Sequence, residues 1–170
     1  MNYIHIIPSS QTLNLIHNNK PVIKYTISTA KNGLGEKKGS EKTPTGWHVV
    51  RAKIGDGQKL NTVFVSRRPT GEIYSSELLA KEIAAKNPNR DWILTRIFWL
   101  SGLEIGKNRL GDVDTMQRYV YIHGSPDSVS FGKPNSRGCV NMKNNDLLDL
   151  FAKVPVGTKI FIGDEVYDYE

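Results

Sequence analysis

A single cysteine, Cys139, stands among the 170 residues. No internal disulfide can form, and a multi-cysteine metal site is excluded. No apolar run approaches the ~20 residues that a spanning helix needs. The opening stretch Met1-Asn2-Tyr3-Ile4-His5-Ile6-Ile7-Pro8 lacks a basic leader and a long apolar segment, so it reads as a first strand and not as a signal peptide. The expectation is a cytoplasmic protein, or a periplasmic one if an export signal has been removed. A phosphate loop is missing as well: Gly33-Leu34-Gly35 with Gly39 has no Gly-Lys-[Ser/Thr] and opens no helix. With no internal repeat and no linker, residues 1–170 are expected to form one domain with a real core.

The formal charge of +6 allows nucleic acid, an anionic surface or small acidic substrates as partners. The basic residues are scattered, however, and the densest run, Glu36-Lys37-Lys38 to Glu41-Lys42, is broken by acids and Gly. It reads as a solvated loop, and nucleic acid is not expected. Asp112-Val113-Asp114 offers too few ligands for a metal and reads as a loop-shaping pair. No metal and no cofactor are expected.

Most of the chain reads as short strands. Leu13-Asn14-Leu15 and Ile23 to Ser28 alternate apolar and polar residues, with Asn18-Asn19 as a hairpin turn between them. Trp47 to Val50 and Thr62 to Val65 flank a Gly55-Asp56-Gly57 turn, and Trp92 to Leu100, Arg118 to His123 and Lys159 to Ile162 complete the set. Two helices are expected. One runs from about Ser76 to Lys86, stopped by Asn87-Pro88; the other starts at Asn144 or Asn145 as N-cap and ends at Pro155 and Gly157. The second places Leu147, Leu150, Phe151 and Val154 on one stripe. The fold class is therefore mainly β, a barrel or sandwich with two or so short helices.

The chemistry concentrates between Tyr119 and Met142. On a strand, Tyr119, Tyr121 and His123 share a face. His123 ends that strand before Gly124, and a turn-rich loop with Pro126, Gly132 and Pro134 returns to Ser136-Arg137-Gly138-Cys139-Val140-Asn141. A loop that folds its ends together would bring His123 and Cys139 into contact. A free thiol with a pKa of ~8.5 is mostly neutral near pH 7, and a nearby imidazole can take its proton. Amides at Gly138 and Cys139 would face a developing oxyanion, and Asn141 would hydrogen-bond substrate if its segment is extended. Taken singly, Cys139 defaults to a small buried hydrophobe and His123 to a satisfied strand-end histidine. His5, His17 and His48 have no partner signal and read as structural.

The run Tyr121-Ile122-His123-Gly124, then Ser136-Arg137-Gly138-Cys139-Val140-Asn141-Met142, resembles the signature of the YkuD-type L,D-transpeptidase catalytic domain. Thr43-Pro44-Thr45-Gly46-Trp47 and Gly157-Thr158-Lys159-Ile160 are similar to that family's upstream and closing strands, in family order. Gly111-Asp112-Val113-Asp114-Thr115, leading into Arg118-Tyr119-Val120-Tyr121, is similar to a branch commonly without an export signal. The resemblance implies Cys139 as nucleophile and His123 as base, with the other ring nitrogen of His123 held by a backbone carbonyl near Gly124. It implies oxyanion donors at the amides of Gly138 and Cys139, and Ser136 as a brace. Many family members have Arg where Asn141 stands. Asn141 supplies no charge, so a carboxylate clamp would need another residue, and Arg137 is the nearest in sequence. Tyr121 joins Ser136, Arg137 and Asn141 as an expected substrate contact.

The implied substrate is the peptidoglycan stem peptide or muropeptide, cut between an L-centred diamino acid and a terminal D-Ala. Carbapenem-type β-lactams are implied as inhibitors that acylate the thiol. The expected reaction is L,D-carboxypeptidase trimming of tetrapeptide to tripeptide in wall recycling, with the Ser101 to Gln117 insert expected to wall off an acceptor. Cross-linking by an L,D-transpeptidase is the alternative. A basic nucleic-acid-binding β-domain and a catalytically dead wall-peptide-binding module are more distant readings; the first predicts salt-dependent binding to DNA or RNA, the second an inert Cys139.

Overall fold

A computed structural model describes residues 2–87 and 89–165. The strands are β1 (Tyr3–Ile7), β2 (Thr12–His17), β3 (Lys20–Ser28), β4 (Gly46–Ile54), β5 (Thr62–Val65), β6 (Arg68–Ile73), β7 (Ile93–Gly102), β8 (Tyr121–Gly124), β9 (Val140–Met142) and β10 (Lys159–Ile162). The helices are α1 (Ser76–Ala84) and α2 (Asn144–Lys153), with a short 3-10 turn at Gly111–Val113. The sheet runs β4-β10-β1-β2-β3-β9-β8-β7, and β7 pairs back onto β4, so eight strands close a barrel. The expected mainly β fold with two helices is what forms. Among the described residues no helix is long and apolar enough to cross a membrane.

Alternation in the strands sorts side chains into two apolar groups. Ile4, Ile6, Leu13, Ile27, Phe98, Leu100, Ile122, Val140, Met142, Ile160 and Ile162 fill the barrel. The apolar stripe of α2, Leu147, Leu150 and Phe151 with Val154 just beyond, packs into the same core. Each such side chain contributes on the order of 1.5–3 kcal/mol by leaving water. The intervening residues of β7 face the other way, and Ile97 joins Phe64 and Tyr121 in a small second cluster outside the barrel, with Ile54, Ile93, Trp99 and Cys139 against it. The β5–β6 hairpin hangs off β7 and supplies Phe64 to that cluster.

Several expectations shift in detail. The hairpin turn at Asn18-Asn19 forms with both residues at positive φ, 50° and 63°. The strand expected from Arg118 begins only at Tyr121, because Tyr119 turns at φ 55° and the amides of Tyr119 and Val120 bond back to Met116 and Thr115. Tyr119 is therefore a loop residue and not on the face of β8. Helix α1 is capped by the Ser75 hydroxyl, which accepts from the Leu78 amide at 3.1 Å. Of the expected helix stop, Asn87 lies beyond α1 and Pro88 is outside the described residues, as is Met1 of the expected first strand. Helix α2 uses Lys143 as its N-cap, with no side-chain cap, because the Asn144 side chain is spent elsewhere. Asp114 shapes its loop as expected, its carboxylate accepting from the amides of Leu110 and Gln117. The Ser101 to Gln117 insert packs onto the start of β4: Asn108 Nδ2 donates to the carbonyls of Thr45 and Trp47, and Glu104 accepts from the Trp47 amide.

Candidate active site

β8 and β9 are parallel neighbours, with Ile122 level with Val140 and His123 level with Asn141. Ile122 and Val140 point into the barrel, so Tyr121, His123 and Asn141 point outward, and Cys139 precedes Asn141 by one full pleat. Strand spacing and rise then put the Cα atoms of His123 and Cys139 about 8 Å apart. A parallel pair needs a crossover of a dozen or more residues. The loop from Ser125 to Cys139 is that crossover, and it brings two residues sixteen positions apart to neighbouring places on one side of the sheet.

His123 is buried at 2% exposure, and its Nδ1 bonds the Gly124 carbonyl at 2.7 Å. A carbonyl only accepts, so Nδ1 carries the proton and Nε2 keeps the lone pair. Burial lowers the His123 pKa from its ordinary value, against the pull of the Asp91 charge and the Gly124 carbonyl. Cys139 is half-buried. The Tyr121 amide donates to its Sγ at 3.3 Å, and the thiol points at the Tyr119 carbonyl at 3.6 Å. Burial pushes the Cys139 thiol up to about 12, the Tyr121 amide opposing. Both directions favour a neutral thiol and a neutral imidazole over an ion pair.

Bracing around the thiol is extensive. Ser136 Oγ donates to the Cys139 carbonyl at 2.5 Å and accepts from the Gly138 amide at 3.2 Å. The Gly138 amide therefore does not stand free as an oxyanion donor in the resting site, which departs from the expectation that it would face the substrate. Gly138 sits at φ 131°, and a Cβ there would lie 3.4 Å from the Lys42 carbonyl. Thr43 Oγ1 donates to the Gly138 carbonyl at 2.9 Å and accepts from the Ala30 amide at 2.9 Å. The Thr43-Pro44 motif, read in the sequence only as part of a strand, thus holds the loop before the thiol. Arg118, also unremarked as a site residue, binds the Lys42 carbonyl at 2.7 Å from the far side. The Arg137 guanidinium donates to the Asn89 carbonyl at 2.7 Å, and the residue lines one cavity with Arg118 and Tyr119. Asn141 lies in the site with its Oδ1 buried and unpaired.

A second brace holds His123. Asn144 Nδ2 donates to the Ser125 carbonyl at 2.9 Å, and its Oδ1 accepts from Thr95 Oγ1 at 2.6 Å. Thr95 is at φ 74°, an unusual conformation for a β-branched residue, within the irregular stretch where β7 slips register against β8. A Cβ on Gly124 would run into Asn144 Oδ1 and stand 2.7 Å from the Leu94 carbonyl. Only glycine fits there, and the carbonyl that orients His123 is pinned between β7 and α2. The sequence signal for Asn144 was present but pointed to a helix cap.

A model of the L,D-transpeptidase catalytic domain, YkuD, matches residues 1–162. The chain belongs to that family. YkuD of Bacillus subtilis (strain 168), an L,D-transpeptidase by name, is 31% identical over 98 residues, 58% of this chain and 46% of the relative. An L,D-transpeptidase from Mycobacterium smegmatis superposes with a TM-score of 0.53 at 19% identity, covering 95% of this chain and 58% of that one. The L,D-transpeptidase LdtMt1, solved in complex with imipenem, gives 0.53 at 20% identity with the same coverages. These structural likenesses show the fold. The chain spans about half the length of these relatives. As a family member the chain carries the L,D-transpeptidase catalytic domain, and the barrel places the signature residue His123 on β8 and Cys139 immediately before the parallel strand β9.

Proposed function

We propose that the chain is an L,D-carboxypeptidase of peptidoglycan stem peptides, with Cys139 as nucleophile and His123 as general base. The observation that carries the reading is the outward-facing pair itself: a half-buried thiol beside a buried imidazole whose Nδ1 is committed to Gly124. With burial favouring the neutral thiol, attack and proton transfer go together in this reading. Sγ adds to the carbonyl carbon of the diamino acid–D-Ala bond while His123 Nε2 takes the thiol proton. The oxyanion is held by the Cys139 amide, joined by that of Gly138 once Ser136 Oγ yields it. Collapse returns the proton from His123 to the departing amine, giving a thioester and free D-Ala. Water, deprotonated by His123, then releases the tripeptide and restores the thiol.

Hydrolysis is favoured over cross-linking because it needs a groove for one stem only, with access for water. A cavity of about 530 Å³ lined by Lys38, Glu41, Arg118, Tyr119 and Arg137 adjoins the Tyr119 carbonyl that the thiol faces. In this reading water would approach the thioester from that side. A lone free thiol also suits a reducing compartment and so cytoplasmic recycling of stem peptides. The deciding experiment is mass spectrometry of products from a tetrapeptide-stem muropeptide, with and without an abundant amine acceptor. Tripeptide plus D-Ala in both cases supports the carboxypeptidase; a cross-linked dimer forming as fast as D-Ala release makes the enzyme a transpeptidase.

A further inference from the structure

Asn141 carries no charge, and two of the cations around the site are already spent. The Arg118 guanidinium is taken up by the carbonyls of Lys42 and Gly35, and that of Arg137 by the carbonyl of Asn89. Arg67 differs. It sits at the tip of the β5–β6 hairpin, where Ser66 and Arg67 both adopt positive φ, 49° and 63°, a two-residue turn that Asn-Gly would fill without strain. Its guanidinium lies 4.6 Å from the Trp99 ring and 4.9 Å from the Tyr119 ring, and its Nη1 donates to the Tyr121 hydroxyl at 3.0 Å. All of these partners are neutral. Among the described residues no acid pairs with it. Arg51 brings a second guanidinium to the same indole, 5.4 Å from its centroid. Two like charges gathered at one ring, without an acid, favour an anion between or beside them.

Tyr121 fixes where that anion sits relative to the chemistry. Its amide donates to Cys139 Sγ and its hydroxyl accepts from Arg67, so the guanidinium stands one tyrosine side chain away from the thiol. That reach matches the far end of the side chain on the residue whose carbonyl Cys139 attacks. We infer that Arg67 is a specificity-determining residue that binds a free carboxylate at the distal end of the substrate's diamino acid. The inference rests on the stem-peptide reading above and deepens it. A guanidinium keeps several N–H donors after serving Tyr121 and pairs with a carboxylate through two of them. A distal amide gives a weaker partner, and a bare distal ammonium, as in a lysine-type stem, is repelled.

The test uses two tetrapeptide stems that differ only in whether the distal carboxyl of the diamino residue is free or amidated. The wild-type protein should favour the free acid by about tenfold or more in kcat/KM, the scale of one charge-assisted hydrogen bond. Arg67→Gln should raise KM for the free-acid stem until the preference disappears, with the amidated stem changed by less than about twofold, and Arg67→Lys should keep part of the preference. Unchanged iodoacetamide alkylation of Cys139 in both variants shows that the site is folded. An equal preference in wild type and Arg67→Gln, or none in the wild type, overturns the inference. If the wild type cleaves neither stem, the carboxypeptidase reading fails by itself. Arg67 is then judged by titrating both stems into Cys139→Ala protein, with and without Arg67→Gln. Tighter free-acid binding that needs Arg67 upholds the role; equal or absent binding ends it.

Discussion

The Nδ1 of His123 donates to the carbonyl of Gly124, the next residue in the chain, at 2.7 Å. A histidine bound to its own neighbour owes its orientation to whatever fixes that neighbour's peptide plane. Here the fixing groups are Asn144 on α2 and the Leu94 carbonyl on β7. The prospective base is therefore set by backbone packing and not by a carboxylate.

Gly124→Ala should be damaging in a specific way. The added methyl collides with Asn144 and Leu94, and relief requires the Gly124 carbonyl to rotate. Turnover should fall by ~10²-fold or more, the scale of a lost general base, even if the protein folds. Asn144→Ala removes the collision partner and leaves Gly124 in place. It should cost about 1–3 kcal/mol of stability, because the Ser125 carbonyl loses its donor and a buried gap opens. Urea denaturation and steady-state kinetics on the two variants separate the effects; a Gly124→Ala enzyme with full turnover would sink the orienting role.

The two residues of the pair should respond differently to pH. Because the thiol is held up and the imidazole down, iodoacetamide alkylation of Cys139 should be slow at neutral pH and should keep climbing past pH 9 without a plateau. Turnover should fall only below the ordinary histidine range, since His123 stays neutral until then. His123→Ala should cut turnover by ~10²-fold or more and slow alkylation near neutral pH. A thiolate plateau below pH 8 in the wild type would contradict the neutral resting pair.

Carbapenem-type β-lactams should leave a stable adduct on Cys139. A strained lactam is an acyl donor, and opening its ring leaves the fragments tethered. Intact-mass spectrometry should show one added drug mass in the wild type and none in Cys139→Ala. Since that variant has no nucleophile, it should also release no D-Ala while melting near the wild-type temperature.

Stability should peak between about pH 7 and the ordinary thiol pKa of ~8.5. His48 is buried between the Gly46 carbonyl and the Thr115 hydroxyl, and burial brings its pKa down to about 4. The unfolded chain then binds more protons between pH 6.5 and 4, so stability falls as pH falls through that window, by about 3 kcal/mol from this residue. His123 adds in the same direction. On the alkaline side the raised Cys139 pKa means that unfolding releases a proton, so stability falls as pH rises above the ordinary thiol value. Thermal melts at fixed ionic strength across pH 4–10 test this, and His48→Gln should flatten the acid limb.

Much of the barrel was legible because its strands alternate cleanly, as in β2 and β3, and because the α2 stripe has a 3.6-residue period. The hairpin arm β6 carries no strand signal of its own in the sequence. Arg68 to Ile73 is mostly exposed and holds Pro69 and Gly71, so its pairing comes from β5 and not from its own pattern. The sequence puts Tyr119 on the β8 strand because β-propensity cannot report a positive φ imposed by the preceding turn. In the candidate site, His123 and Cys139 stand out from local motifs. Thr43, Thr95, Arg118 and Arg67 do not, because each acts on a partner at least 49 positions away: Gly138, Asn144, Lys42 and Tyr121. Long-range pairings of polar side chains with backbone or with one another leave no periodic trace.

β10 lies between β1 and β4 and seals the ring. A ribosome that has not yet delivered Lys159 therefore holds a chain with two bare sheet edges, one at each side of the gap. Such edges invite pairing with the strands of another nascent chain, and a ring built from distant strand pairs closes slowly. Synthesis is thus a stage at which the open barrel is exposed to mispairing. Mutations that weaken the last strand should show first as lost yield and inclusion bodies, well before they touch the chemistry of the thiol.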